Sequence, residues 1–180
     1  MSVFTNAASR STEQAREYTA AILDLLGDRD PHDVLRTTPT GVRASVAGLT
    51  DRELSAPEAK GKWSIRQVIR HLADSELVWA YRLRLVLGQD RPPLTGYDQD
   101  LWAERLHYAD ASVDESLDEF AVVRRSNLRL LTAVPPEDLA RVGVHAERGE
   151  ESVAHMIRLY AGHDLLHLRQ LARIRAAVAD

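Results

Sequence analysis

Cysteine is absent from the 180 residues, which excludes disulfides, thiolate metal sites and cysteine nucleophiles at once. No apolar run approaches the ~18–20 residues that a membrane-spanning helix needs. The first residues, MSVFTNAASRSTEQAREY, contain no apolar stretch resembling a secretion signal. Together these absences set the expectation of a cytoplasmic protein with no membrane partner. An excess of positive charge is missing too. Lys and Arg total 23 against 27 Asp and Glu, a net charge of −4, so nothing calls for a nucleic-acid partner. Alternating strand patterns are almost missing, and no repeat or low-complexity tract occurs.

What is present is a globular composition, 44% hydrophobic and 28% charged, at a length that suits one domain over 1–180. Helical spacing recurs four times. The first segment spans about Thr12 to Leu26, capped by Ser11 with Gln14 at the third helical position, and stopped by Gly27. Asp30-Pro31 and Thr38-Pro39 each read as short helix starts. The second long helix starts at Ser64, with Gln67 completing a capping box and Trp63 and Val68 forming a hydrophobic staple, and ends at Gly88. The third runs from Ser112 to about Val134, before Pro135-Pro136. The fourth runs from about Ser152 to Val178. Four long amphipathic helices predict an all-α four-helix bundle, with 88–111 as a crossover. The stretch VGVHAERGEE reads as a turn region or a brief strand.

The fourth helix has a seam of Val153, Met156, Tyr160, His163, His167, Gln170 and Ile174, stepping by three or four. Both histidines stand where a bundle normally places Leu or Ile. Residues i and i+4 project from one face with Cβ atoms ~5–6 Å apart, so two neutral imidazoles there can reach one divalent ion. The second helix adds His71 beside its own apolar stripe. The alternative is three polar core residues satisfied by water and carbonyls. Three nitrogen ligands would leave coordination positions open, either to acidify water or to hold a substrate thiolate. The zincin motif is not present, since residue 164 is Asp.

The stretches GKWSIRQVIRHLADSE (61–76) and ESVAHMIRLYAGHDLLHLRQ (151–170) resemble the two signature regions of the DinB/YfiT-like superfamily. GYDQDLWAERLHY and RVGVHAERGEE match its style, so the likeness spans nearly the whole chain. The resemblance implies a four-helix bundle of up-down-down-up order, often a homodimer. It also implies a three-histidine metal centre, here His71, His163 and His167, with zinc placed first and nickel or iron as alternatives. Relatives of this kind include metal-dependent transferases acting on low-molecular-weight thiols, and others resemble hydrolases.

Thiol transfer to an electrophile is the first reading, because no general base stands out and a metal-held thiolate needs less proton transfer. Hydrolysis and non-catalytic metal binding are the alternatives. Asp74, one turn beyond His71, is the candidate to accept its free ring N–H or to orient water. Arg82, eleven residues beyond His71, lies near the same azimuth and suits a substrate carboxylate; Trp102 and Tyr160 are candidate pocket walls. His145 is a candidate to approach the open face. Asp164 is expected at the surface or in a dimer contact. Gly162, costly within a helix by ~1 kcal/mol, either admits a close helix approach beside His163 or reflects tolerated strain.

Overall fold

The computed structural model describes residues 12–179. Helix α1 spans Thr12–Leu26, and the Ser11 cap expected for it lies outside the described residues. Helix α2 spans Pro31–Val46, entered through Asp30, whose side chain accepts from His32 N at 2.8 Å. The short α3 (Asp51–Ser55) has its own Thr50/Glu53 capping box. Helix α4 (Ile65–Gly88) begins with the expected Ser64/Gln67 box. The crossover that follows contains strand β1 (Pro93–Leu94), helix α5 (Gln99–Arg105) and a 3-10 turn at Tyr108–Asp110. Helix α6 (Val113–Leu131) ends earlier than the expected Val134, in a turn leading to a 3-10 segment at Pro136–Ala140. Strands β2 (Val142–His145) and β3 (Gly149–Ser152) form an antiparallel hairpin, with β1 parallel to β2. The VGVHAERGEE stretch is therefore a hairpin. Ser152 caps α7 (Val153–Val178) by accepting from His155 N at 3.1 Å.

Contacts fix the direction of each bundle helix. Arg70 pairs with Glu119 at 2.5 Å, and further along Arg84 donates to Ser126 at 3.1 Å, so α4 and α6 run parallel. Gly41 lies against Leu168, and Arg175 donates to the Ser45 carbonyl at 2.7 Å, so α2 and α7 run parallel as well. Helix α4 faces α7 in the opposite sense, with His71 against His163 and His167 and Trp79 stacked on Tyr160. The order is up-down-down-up for α2, α4, α6 and α7. Two parallel neighbours, α4 and α6, need the long crossover between them.

The first member of the bundle is thus α2, where the sequence pattern had suggested the segment at 12–26. The Thr-Thr-Pro-Thr-Gly run disguised it, because Pro39 reads as a second start yet sits inside one continuous helix. A mid-helix proline removes the N–H that would bond the carbonyl four residues back, here Leu35. That carbonyl instead accepts from Arg124 Nη1 at 2.8 Å. The proline is tolerated because another helix supplies the missing donor.

Helix α1 packs outside the ring on α7, and Gly162 makes the approach. A Cβ there would meet the Ile22 carbonyl and Cγ2 well inside van der Waals contact. Gly162→Ala should therefore destabilise by about 1–3 kcal/mol through forced displacement of α1, against a helix-propensity gain of ~1 kcal/mol. Urea denaturation reads the difference; a clear gain in stability would mean that α1 is not seated this way.

The core is divided in three along the bundle. One apolar cluster gathers Leu35, Trp79, Leu83, Val86, Leu131 and Met156, and the other gathers Val42, Ile69, Leu72, Phe120, Leu171 and Ile174. Between them lies a layer of buried polar groups: Thr38, Glu76, Arg124, Asn127, Asp164 and His167 among others. Asp164, expected at the surface, is 1% exposed. Arg124 draws it inward, donating Nη1 to Asp164 Oδ2 at 2.6 Å and Nη2 to Glu76 Oε2 at 2.7 Å.

Candidate metal centre

The histidines occupy the α4–α7 side of this polar layer. His163 and His167 share a face of α7, and the antiparallel α4 presents His71 to them. His163 Nε2 lies 3.0 Å from His167 Nε2 and 3.3 Å from His71 Nε2. All three candidate ligand atoms fall within 4.8 Å of one another. The structure thus brings together the three histidines expected from the sequence.

Burial holds all three as neutral imidazoles. Desolvation is the largest cause for each. Repulsion from His167 adds to it at His71, and repulsion from His167 and His71 adds to it at His163, leaving both well below the ordinary histidine value. Burial takes His167 down to about 4, with the Gln170 hydrogen bond opposing. Three clustered nitrogen lone pairs on uncharged rings suit a cation. His167 Nδ1 stands 2.7 Å from Gln170 Oε1, an acceptor that fixes the proton on Nδ1 and frees Nε2. Gln170→Ala should weaken metal affinity by ~10–100-fold through loss of that orientation. A competition titration with a chromophoric chelator measures it, and unchanged affinity would remove Gln170 from the site.

Asp74 does not serve His71. Its Oδ2 accepts from Tyr108 at 2.5 Å, and its Oδ1 is taken by Arg70. His71 Nδ1 has no hydrogen-bond partner among the described residues. The carboxylate is an anchor between α4 and the crossover; the Tyr108 hydroxyl, distant in sequence, claims it first. Trp102 is likewise displaced from its expected place. It packs on Tyr97 with ring centroids 4.3 Å apart and does not line the cavity, so it supports the wall from behind.

The cavity beside the histidines holds about 80 Å³, room for several waters or a small organic group. His71 and His163 form one part of its lining, and Arg82 and Tyr160 are present as expected. Tyr160 stacks on Trp79, centroids 4.7 Å apart, and burial pushes its phenol up to about 12. Ser75 links His71 to the crossover: its Oγ lies 3.3 Å from His71 Nε2 and 2.9 Å from Tyr97 OH. The hairpin contributes His145, Glu147 and Arg148, and α1 contributes Tyr18. Tyr18, Glu147 and Arg148 were not anticipated. Only the hairpin fold and the outer seat of α1 bring them there; the one local hint was the Gly162 gap.

Residues 34–171 match the DinB superfamily, and the chain belongs to it. A protein of Oceanobacillus iheyensis, provisionally named a metal-dependent hydrolase, is 31% identical over 76% of this chain and 78% of its own. A Bacillus mycoides protein with the same provisional name is 30% identical over 76% of this chain and 79% of its own. The solved structure of YfiT from Bacillus subtilis, described as "a probable metal-dependent hydrolase with an unusual four-helix bundle topology", superposes with a TM-score of 0.72. That match has 25% identity and covers 94% of this chain and 92% of the other. Among the described residues no helix is long and apolar enough to cross a membrane.

Proposed function

We propose that this protein is a metal-dependent hydrolase whose ion is held by His71, His163 and His167 and whose small substrate enters the adjoining cavity. The observation that carries the reading is the convergence of three imidazole nitrogens, at 3.0 and 3.3 Å around His163, with His71 and His163 on the wall of that cavity. A protein that supplies three ligands leaves coordination positions for an exchangeable guest, whereas a structural zinc site normally closes with four. Zinc is the first choice of ion, with nickel or iron(II) as alternatives that also accept imidazole. When bound, the ion supplies Lewis-acid polarisation of a carbonyl and acidification of water.

The chain's own residues do the remaining work. Ser75 Oγ and Tyr97 OH form a hydroxyl pair reaching His71 Nε2, placed to orient a water or substrate oxygen and to pass a proton along. Glu147 is the carboxylate among the cavity-lining residues and can take that proton up. Tyr160 and the Trp102-backed Tyr97 supply aromatic walls. Asp74, committed to Arg70 and Tyr108, is left out.

Thiol transfer becomes the second reading. The sequence argument for it was the lack of a proton acceptor, and Glu147 weakens that argument; the relatives' provisional names also favour hydrolysis. Zinc-loaded protein should hydrolyse members of a panel of small esters and amides, lose that activity on chelation and regain it with the ion. Consumption of a cellular thiol with an electrophile, without hydrolysis anywhere in the panel, would put transfer first. Neither activity would leave metal binding alone. The homodimer implied by the family likeness is carried with this proposal, and light scattering tests it.

A further inference from the structure

Two arginines are more than nine-tenths buried among the described residues, and their surroundings differ in kind. Arg124 faces two carboxylates, Glu76 and Asp164. Arg82, 5% exposed, has no carboxylate within ion-pair distance among the described residues; one nitrogen donates to the Thr95 carbonyl. A guanidinium carries five N–H donors, and burying its charge without a counter-ion is expensive. Arg82 also lines the cavity that His71 and His163 line.

His145 supplies a second, independent observation. Its Nδ1 accepts from Glu147 N at 3.2 Å, which puts the ring proton on Nε2. That Nε2–H is buried and has no partner among the described residues. Burial, then Arg148 and Arg82, lower the ring to about 4, so it stays a neutral donor. A buried donor left unpaired is destabilising, and His145 lines the same cavity. Arg148, the other guanidinium on this wall, is satisfied by a two-pronged contact with Glu151, at 2.5 and 3.0 Å. Among the described residues, Arg82 is the lining guanidinium that no carboxylate neutralises.

We propose that Arg82 and His145 form a subsite for a carboxylate, so that the substrate is a small monoanionic acid held by its carboxylate while its reactive group faces the histidines. A carboxylate matches the planar fork of a guanidinium and brings a single charge. A dianionic phosphate fits less well, because Glu147 shares the lining and Arg148 is already neutralised. The inference rests on the proposed hydrolytic reading only for the identity of the reactive group; the subsite stands on its own residues.

Titration calorimetry with benzoate and butyrate, against the neutral benzamide and butyramide, tests it on both metal-free and zinc-loaded protein. The acids should bind in both forms, and the amides at least ~10-fold more weakly, as expected for losing a charge-assisted hydrogen bond. Arg82→Met should weaken acid binding by a similar factor and leave the amides unchanged. Arg82→Lys, which retains the buried charge, covers the case in which Met disturbs folding, and should bind the acids between the two. Arg91→Met, at an exposed arginine paired with Glu150, is the charge-matched control and should bind as the parent does. Inorganic phosphate binding better than the acids would overturn the carboxylate assignment. Acid binding that needs zinc and ignores Arg82 would overturn the subsite. Loss of hydrolysis with Arg82-dependent acid binding intact would overturn the reaction and leave the subsite standing.

Discussion

Arg124→Met should destabilise the protein by about 3–5 kcal/mol, the largest single-residue effect expected outside the metal centre. Arg124 joins all four bundle helices. From α6 it donates to Glu76 on α4, to Asp164 on α7, and to the Leu35 carbonyl of α2 that Pro39 leaves without a helical partner. Its guanidinium also sits over the Phe120 ring, 4.8 Å from the centroid. Burial works against its charge, but Asp164 and Glu76 together outweigh that and hold it protonated. Burial conversely pushes the Glu76 carboxyl up, and the pull of Arg124 and the Asn127 hydrogen bond only partly offsets this. Removing the arginine leaves two buried carboxylates facing one another and an unpaired carbonyl. Urea denaturation of parent and variant measures the loss. The triple variant Arg124→Met, Glu76→Gln, Asp164→Asn should recover much of it, because the penalty comes from uncompensated charge. A loss below ~1 kcal/mol in the single variant would show that the network does not carry the polar layer.

His163→Ala should abolish stoichiometric metal binding. His163 is the middle nitrogen: both other ligand atoms are placed by their distance to it, 3.3 Å for His71 and 3.0 Å for His167. Without it, two imidazoles from different helices remain. Because loss of a hydrogen-bond partner behind a ligand already costs ~10–100-fold in affinity, loss of the central ligand should exceed that. Elemental analysis of parent and variant purified without an affinity tag gives the stoichiometry. Near-parental metal content in a folded variant would defeat the three-histidine assignment. The fold should survive, since the two apolar clusters above and below the polar layer do not depend on that ring.

The sequence was most legible where the signal is local. The Ser64/Gln67 box appears as expected, and α6 and α7 start at Ser112 and Ser152 as expected, because a cap and its partner lie within three residues. The i, i+4 pair His163 and His167 was readable for the same reason. Legibility failed where a polar side chain had several claimants. Helical spacing makes Asp74 a candidate partner of His71 or of a water, but Tyr108, 34 residues away, takes its Oδ2. Asp164 pointed away from the seam of its own helix, and only the presence of Arg124, 40 residues earlier in the chain, turns that side inward. Pro39 broke the helical pattern on paper because its remedy, the Arg124 donor, comes from 89 residues beyond Leu35.

By itself, the sequence determined that this chain forms helices with histidines on an apolar seam, since periodicity and capping are written over one or two turns of backbone. Tertiary structure alone decided that α2 completes the ring, that α1 and the hairpin close a cavity beside the imidazoles, and that Arg124 holds Glu76 and Asp164. Those outcomes depend on which helices meet and at what height. Hydrogen bonding and charge pairing within a desolvated layer then select one partner from several that are equivalent in sequence.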